Sequence, residues 1–181
     1  FWRGRTSETI DRVKADQSGM LATVMNCIYV SDIFRYAGMK TEVFTPFVCG
    51  AFTTLFSKDK AVEALNEGKV IFFAGGTGHP YFSTDTGAAL RAAQINADVL
   101  LKATNVDGIY DKDPNKFDDA VKFDKITHNE LLERHLAVMD TAAAAICQEN
   151  NIPILVFNLN DTSNILKAVC GENAGTVVTN E

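Results

Sequence analysis

No stretch of this 181-residue chain approaches the roughly 20 consecutive apolar residues that a membrane-spanning helix needs. It also does not open on the charged, apolar and small-residue succession of a secretory signal. With neither membrane insertion nor export supported, a cytoplasmic location is expected. Cations are in the minority: 17 Lys and Arg against 23 Asp and Glu leave a net charge of −6, the wrong balance for a nucleic-acid partner. A small anionic ligand in a local basic pocket stays open. Cysteine is scarce. Cys27, Cys49, Cys147 and Cys170 are widely spaced, with no CxxC pair, and read as buried thiols rather than metal ligands. His128 and His135, near Glu130, read as a solvated helix face, so no metal ligands are assigned.

What is present is ordinary for a globular chain: 46% hydrophobic and 22% charged residues. That length supports one domain with a substantial core. The chain starts at Phe1-Trp2-Arg3-Gly4-Arg5 without a Met, so a preceding segment is expected to be missing.

Apolar spacing predicts a helix over 17–37, stopped at Gly38, then a strand at Thr41–Phe44. Ser57 should cap a helix that ends at Gly68, and Val70–Phe73 should be a strand buried on both faces. An Ala-rich helix follows Thr84-Asp85 and runs through Asn96, before a strand at Asp98–Ala103. Thr127 and Glu130 have capping-box spacing, Asp140 suits a cap for the helix after it, and Pro153 introduces a strand at Ile154–Phe157. Asp161 should cap a last helix ending at Gly171, ahead of a final strand at Thr176–Thr179. Strands alternating with helices of this length predict an α/β fold with a mostly parallel open sheet between helix layers. Ligands of such sheets lie outside the carboxyl ends of the strands.

Two loops at such ends carry the chemistry. The first, Ala74-Gly75-Gly76-Thr77-Gly78-His79-Pro80-Tyr81-Phe82-Ser83-Thr84-Asp85, combines close backbone approach with a helix start rich in N–H groups and hydroxyls. It is either a phosphate or nucleotide loop or an ordinary Gly-rich turn; no Gly-Lys-Ser/Thr makes it a Walker A loop, and no GxGxxG favours a dinucleotide dehydrogenase. The second, Thr104-Asn105-Val106-Asp107-Gly108-Ile109-Tyr110-Asp111-Lys112-Asp113-Pro114, could stack a base and hold a ribose hydroxyl, or be a solvated hairpin.

Taken in order with Trp2-Arg3-Gly4, the segment from Asp16 to Asn26, Lys102-Ala103-Thr104 and Val138-Met139-Asp140, these loops resemble the bacterial UMP kinases of the amino-acid kinase superfamily over nearly the whole chain. The resemblance implies one three-layer αβα domain over 1–181, of carbamate kinase-like topology, lacking the family's first strand and its Lys/Gly phosphate loop. It implies transfer of the ATP γ-phosphoryl group to UMP. Arg3 would reach the ATP phosphates. Asp16 would bind the UMP ribose, and Thr77, Gly78, His79, Pro80, Tyr81, Phe82, Ser83 and Thr84 the uracil and α-phosphate side. Thr104, Tyr110 and Asp113 would line the ATP site, with Asp85 and Asp140 organising Mg²⁺ and phosphates or serving only as caps. His79 stands where the family usually has Asn. The resemblance further implies a homohexamer, GTP activation and UTP inhibition; without the missing Lys the 181 residues alone would be inactive. Rival readings are a non-catalytic nucleotide-sensing or assembly module, or an acetylglutamate, aspartate or carbamate kinase.

Overall fold

Asp11 starts the first helix by accepting a hydrogen bond from the Lys14 N–H at 3.1 Å, and α1 runs from Arg12 to Tyr36. It begins five residues before the apolar periodicity does, because a cap needs a carboxylate and not an apolar face. The computed structural model describes residues 10–136, 138–172 and 174–181, which divide into two units, one through Arg91 and one from Ala92.

In the first unit, β1 (Thr41–Thr45), β2 (Thr54–Leu55) and β3 (Val70–Phe73) form a parallel sheet in the order β2-β1-β3. The helix α2 (Lys58–Asn66), capped by Ser57, links β2 to β3. Alternation along the strands splits the core. Val43 and Phe72 pack with Val24 and Cys27 of α1, where Phe34 meets Phe72 edge-on at 5.3 Å. On the other face Phe44 clusters with Phe56 and Phe73, at ring separations of 6.4 and 6.1 Å. The sheet is therefore covered on both faces, as an α/β fold requires. The burial expected of Val70–Phe73 is corrected: β3 is only half-buried, because among the described residues it pairs on one side, with β1, which holds the centre.

The helix α3 (Thr84–Gln94) leads out of this unit. The second unit contains β4 (Leu100–Thr104), β5 (Ile109–Tyr110), β6 (Lys122–Phe123), β7 (Lys125–Thr127), α4 (His128–Glu133), α5 (Thr141–Glu149), β8 (Ile154–Asn158), α6 (Ser163–Val169) and β9 (Gly175–Thr179). Its main sheet has the order β4-β8-β9-β7, parallel except between β8 and β9. Leu155 and Phe157 pack with Ala168 of α6, while the alternate residues Ile154 and Val156, also buried, point the other way. Both halves of the Thr127–Glu130 capping box form, and Asp140 caps α5 through the Ala143 N–H at 3.0 Å. The cap of α6 is Thr162 rather than Asp161, whose carboxylate instead accepts from the Ser163 N–H at 3.0 Å.

The cysteines and one histidine depart from the sequence reading. Cys170 is exposed and Cys27 and Cys49 are half-buried, whereas Cys147 is fully buried and its thiol is pushed up to about 11 by desolvation. A seven-residue helix such as α6 covers the sheet with Ala168 and leaves its end to solvent. His128 is buried, not solvated: its Nε2 donates to the Ile152 carbonyl at 3.2 Å, and Nδ1 meets no partner among the described residues. A carbonyl only accepts, so the proton sits on Nε2. Burial pushes the imidazole pKa down, partly offset by the Ile152 carbonyl. The unfolded chain thus takes up a proton near pH 6.5 that the folded one resists, and stability present above that pH is lost as pH falls below it. Melting temperatures should decline from about pH 7 toward pH 5, and His128→Gln, which keeps an N–H donor, should flatten part of that slope.

Candidate functional site

In the first unit the register Thr41↔Val70 to Phe44↔Phe73 brings the carboxyl ends of β1 and β3 to one edge. The loop after β3 leaves from that edge, and its residues 77–84 run continuously into α3. Its turn is held from three sides. The Gly75 N–H donates to the Thr23 hydroxyl of α1 at 2.8 Å, Gly78 N–H closes on the Gly75 carbonyl at 3.0 Å, and Arg91 reaches the Gly76 carbonyl at 3.4 Å. A Cβ at Gly78 would lie 2.9 Å from Pro46, and φ there is +85°, so glycine is needed for both space and backbone. Thr77 accepts from the His79 N–H at 3.2 Å. Ser83 accepts from the Thr86 N–H at 3.1 Å and so caps α3, with Thr84 and Asp85 in the first turn.

Asp16, 65 residues away in sequence, is tied to this loop. Its Oδ2 accepts from the Tyr81 N–H at 2.8 Å and from Arg12 Nε at 3.3 Å. Its Oδ1 receives no bond within the described part of the first unit, and the side chain is 20% exposed, enough for a ligand hydroxyl to reach. Tyr81 and Phe82 stand largely exposed beside it. The structure thus assembles Asp16 with Thr77–Thr84. Arg3 lies outside the described residues.

In the second unit a cleft of about 470 Å³ opens at the carboxyl end of β4, within the range typical of small-molecule sites. Thr104, Tyr110 and Asp113 all line it, with Gly108, Arg134 and His135. The hairpin β5–β6 forms one wall. It is stapled to β9 by Thr176, whose hydroxyl oxygen accepts from the Ile109 N–H at 2.8 Å while its proton goes to the Phe123 carbonyl. The Tyr110 hydroxyl donates to Asp107 at 2.7 Å, and Lys122 pairs with the other Asp107 oxygen at 3.0 Å. That hydroxyl and the lysine hold the Asp107 carboxyl below its ordinary range, and the same bond raises the Tyr110 phenol. Asp113 is held low chiefly by the Asn115 N–H. Its side chain therefore stays ionised at the cleft. Asp140 sits in a smaller adjoining hollow of this unit, with Leu136 and Met139.

Sequence reasoning missed Arg12, Thr23 and Thr176, which touch the loops without belonging to them. Only Arg12 left a signal, its i,i+4 spacing from Asp16. His135, read as part of a solvated helix face, lies past the end of α4 and lines the cleft with Arg134, and the two-residue strands of the hairpin lie below any periodicity.

The family model described as the amino acid kinase family matches residues 3–158. The uridylate kinase of Pediococcus pentosaceus is 49% identical over 184 residues, covering 100% of this chain and 76% of that protein. The crystal structure of UMP kinase from Ureaplasma parvum superposes with a TM-score of 0.92 at 36% identity, over 99% of this chain and 77% of that one. That of UMP kinase from Bacillus anthracis gives 0.95 at 30% identity, over 100% and 76%. With a matching family model over most of its length, relatives near half identity and the same α/β fold, the chain belongs to the amino acid kinase family.

Proposed function

We propose that this chain is a UMP kinase that transfers the γ-phosphoryl group of ATP to UMP, giving UDP and ADP, in cytoplasmic pyrimidine nucleotide biosynthesis. The observation that carries the reading is the bond from the Tyr81 N–H to Asp16. It brings a carboxylate suited to ribose hydroxyls against the loop suited to uracil and phosphate. Asp16 and residues 77–84 take UMP, and Thr104, Tyr110 and Asp113 take ATP, in two halves of one kinase domain. Arg3 takes the ATP phosphates.

The acceptor needs no general base. A phosphate monoester has its second pKa near 6 and is mostly dianionic at neutral pH. A UMP phosphate oxygen attacks the γ-phosphorus, the bond to the ADP oxygen breaks, and the protein supplies alignment and charge neutralisation. Mg²⁺ bound through ATP phosphates would need only one or two carboxylates from the protein; Asp85 and Asp140 are each a candidate for that role, or serve as helix caps only. The homohexamer, GTP activation and UTP inhibition belong to the same reading. Self-association is supported by Leu21, Met25, Tyr29, Ile33 and Tyr36, an exposed apolar row on α1.

Steady-state kinetics with UMP, carbamate, aspartate and acetylglutamate as acceptors test the substrate class; transfer to none would favour a binding module. Tyr110→Ala should raise the ATP KM about ten-fold, the loss of a stacked ring near 1.4 kcal/mol, and leave the UMP KM unchanged. Thr77→Ala should do the reverse. Normal melting with unchanged ATP affinity in Tyr110→Ala would overturn the donor-site assignment.

A further inference from the structure

Tyr81 adopts φ +72°, a left-handed backbone that is strained for a bulky residue. Such a conformation persists only where the surroundings over-determine it. Two contacts do so here. The Tyr81 N–H is held by Asp16 Oδ2 at 2.8 Å, and its ring lies under the Arg12 guanidinium, 4.8 Å from Cζ to the ring centroid. Arg12 also donates from Nε to the same Asp16 oxygen at 3.3 Å. One turn of α1 therefore grips one residue of the loop by backbone and ring together.

We infer that Arg12 is a positioning residue for the acceptor. It stacks on Tyr81 to keep the loop in its left-handed turn, and it occupies Asp16 Oδ2 so that Oδ1 faces the incoming nucleoside monophosphate. The inference rests on the reading that Asp16 and residues 77–84 hold UMP. Arg12 touches no substrate in this account; it acts through Asp16 and Tyr81. A guanidinium suits both tasks, because its plane stacks on the ring while an edge N–H meets the carboxylate. Lysine can keep the ion pair but not both contacts at once.

The test is steady-state kinetics and melting of Arg12→Ala, Arg12→Lys, Tyr81→Phe, Tyr81→Ala and Asp16→Ala in the intact enzyme. Arg12→Ala is expected to raise the UMP KM about ten-fold, with kcat at saturating UMP and the ATP KM within two-fold, roughly the scatter of a surface substitution. Tyr81→Phe should raise the UMP KM less than Tyr81→Ala does, since the ring under Arg12 is kept. Arg12→Lys should fall between parent and Arg12→Ala. The double variant Arg12→Ala/Tyr81→Ala should be no worse than the poorer single one, because the two share one contact. If Asp16→Ala raises the UMP KM and Arg12→Ala does not, the positioning role is wrong and the UMP site stands. If neither moves it, the UMP reading itself fails. A drop in melting temperature that lowers kcat and leaves both KM values unchanged would make Arg12 a structural residue only and overturn the inference.

Discussion

Gly175→Ala is expected to abolish the native second unit. Gly175 opposes Phe157 in the antiparallel β8–β9 ladder, and a Cβ built there would lie 1.9 Å from the Val156 carbonyl oxygen and 2.9 Å from its carbon. Both are main-chain atoms in the middle of the sheet, so no rotamer change relieves the overlap. Either β9 detaches or the ladder shifts, and each discards the burial of Val178 and Thr176. Overpacking of this kind exceeds the usual 1–3 kcal/mol, and a loss of about 4 kcal/mol or more is expected, a large part of the stability of a typical domain. Urea denaturation followed by circular dichroism measures it. The Thr176 staple on Ile109 would go with β9, so residual folded protein should also bind ATP poorly. A midpoint close to that of the parent would show that β8 and β9 do not pair in this register.

Asp16→Ala should have the largest effect on the acceptor. It removes the candidate ribose contact at Oδ1, and with Oδ2 the anchor of the Tyr81 N–H. Loss of a charge-assisted bond costs about 1.5–3 kcal/mol, which is a rise in the UMP KM of roughly ten- to hundred-fold. The ATP KM should stay near the parent value. Asp16→Asn separates the two jobs, since its carbonyl oxygen still accepts from Tyr81 while the charge is gone; an intermediate KM is expected. An unchanged UMP KM in Asp16→Ala would remove this residue from the site.

Much of this architecture could be read from the residues. Caps are local chemistry, so Ser57, Thr127 with Glu130, and Asp140 stand where the side-chain types put them. The apolar run between Gly68 and Gly75 gave β3 its bounds, and Pro153 marked the start of β8. What escaped is non-local. Nothing in the order of residues says that β9 turns antiparallel against β8, or that the Thr176 hydroxyl bridges two strands of a hairpin. The burial of His128 escaped for the same reason, since its carbonyl partner is 24 positions away. The loop from Thr77 to Thr84 was legible as a ligand loop only through the ordered resemblance, because a Gly-rich turn alone is weak evidence. Its attachment to Asp16 is a finding of the fold.

The division of contacts also sets an order of assembly during synthesis. Every contact described for the acceptor loop, from Asp16 to Tyr81 and from Thr23 to Gly75, lies within the first unit. As the chain leaves the ribosome, N-terminal regions fold first, and this grip can close early. The hairpin wall of the second unit's cleft cannot. β4 must wait for β8, whose Ile154 pairs with Leu100, and the hairpin carrying Tyr110 must wait for Thr176. A nascent chain stalled before β9 would thus hold the candidate UMP loop formed while the candidate ATP cleft of the second unit was unfinished.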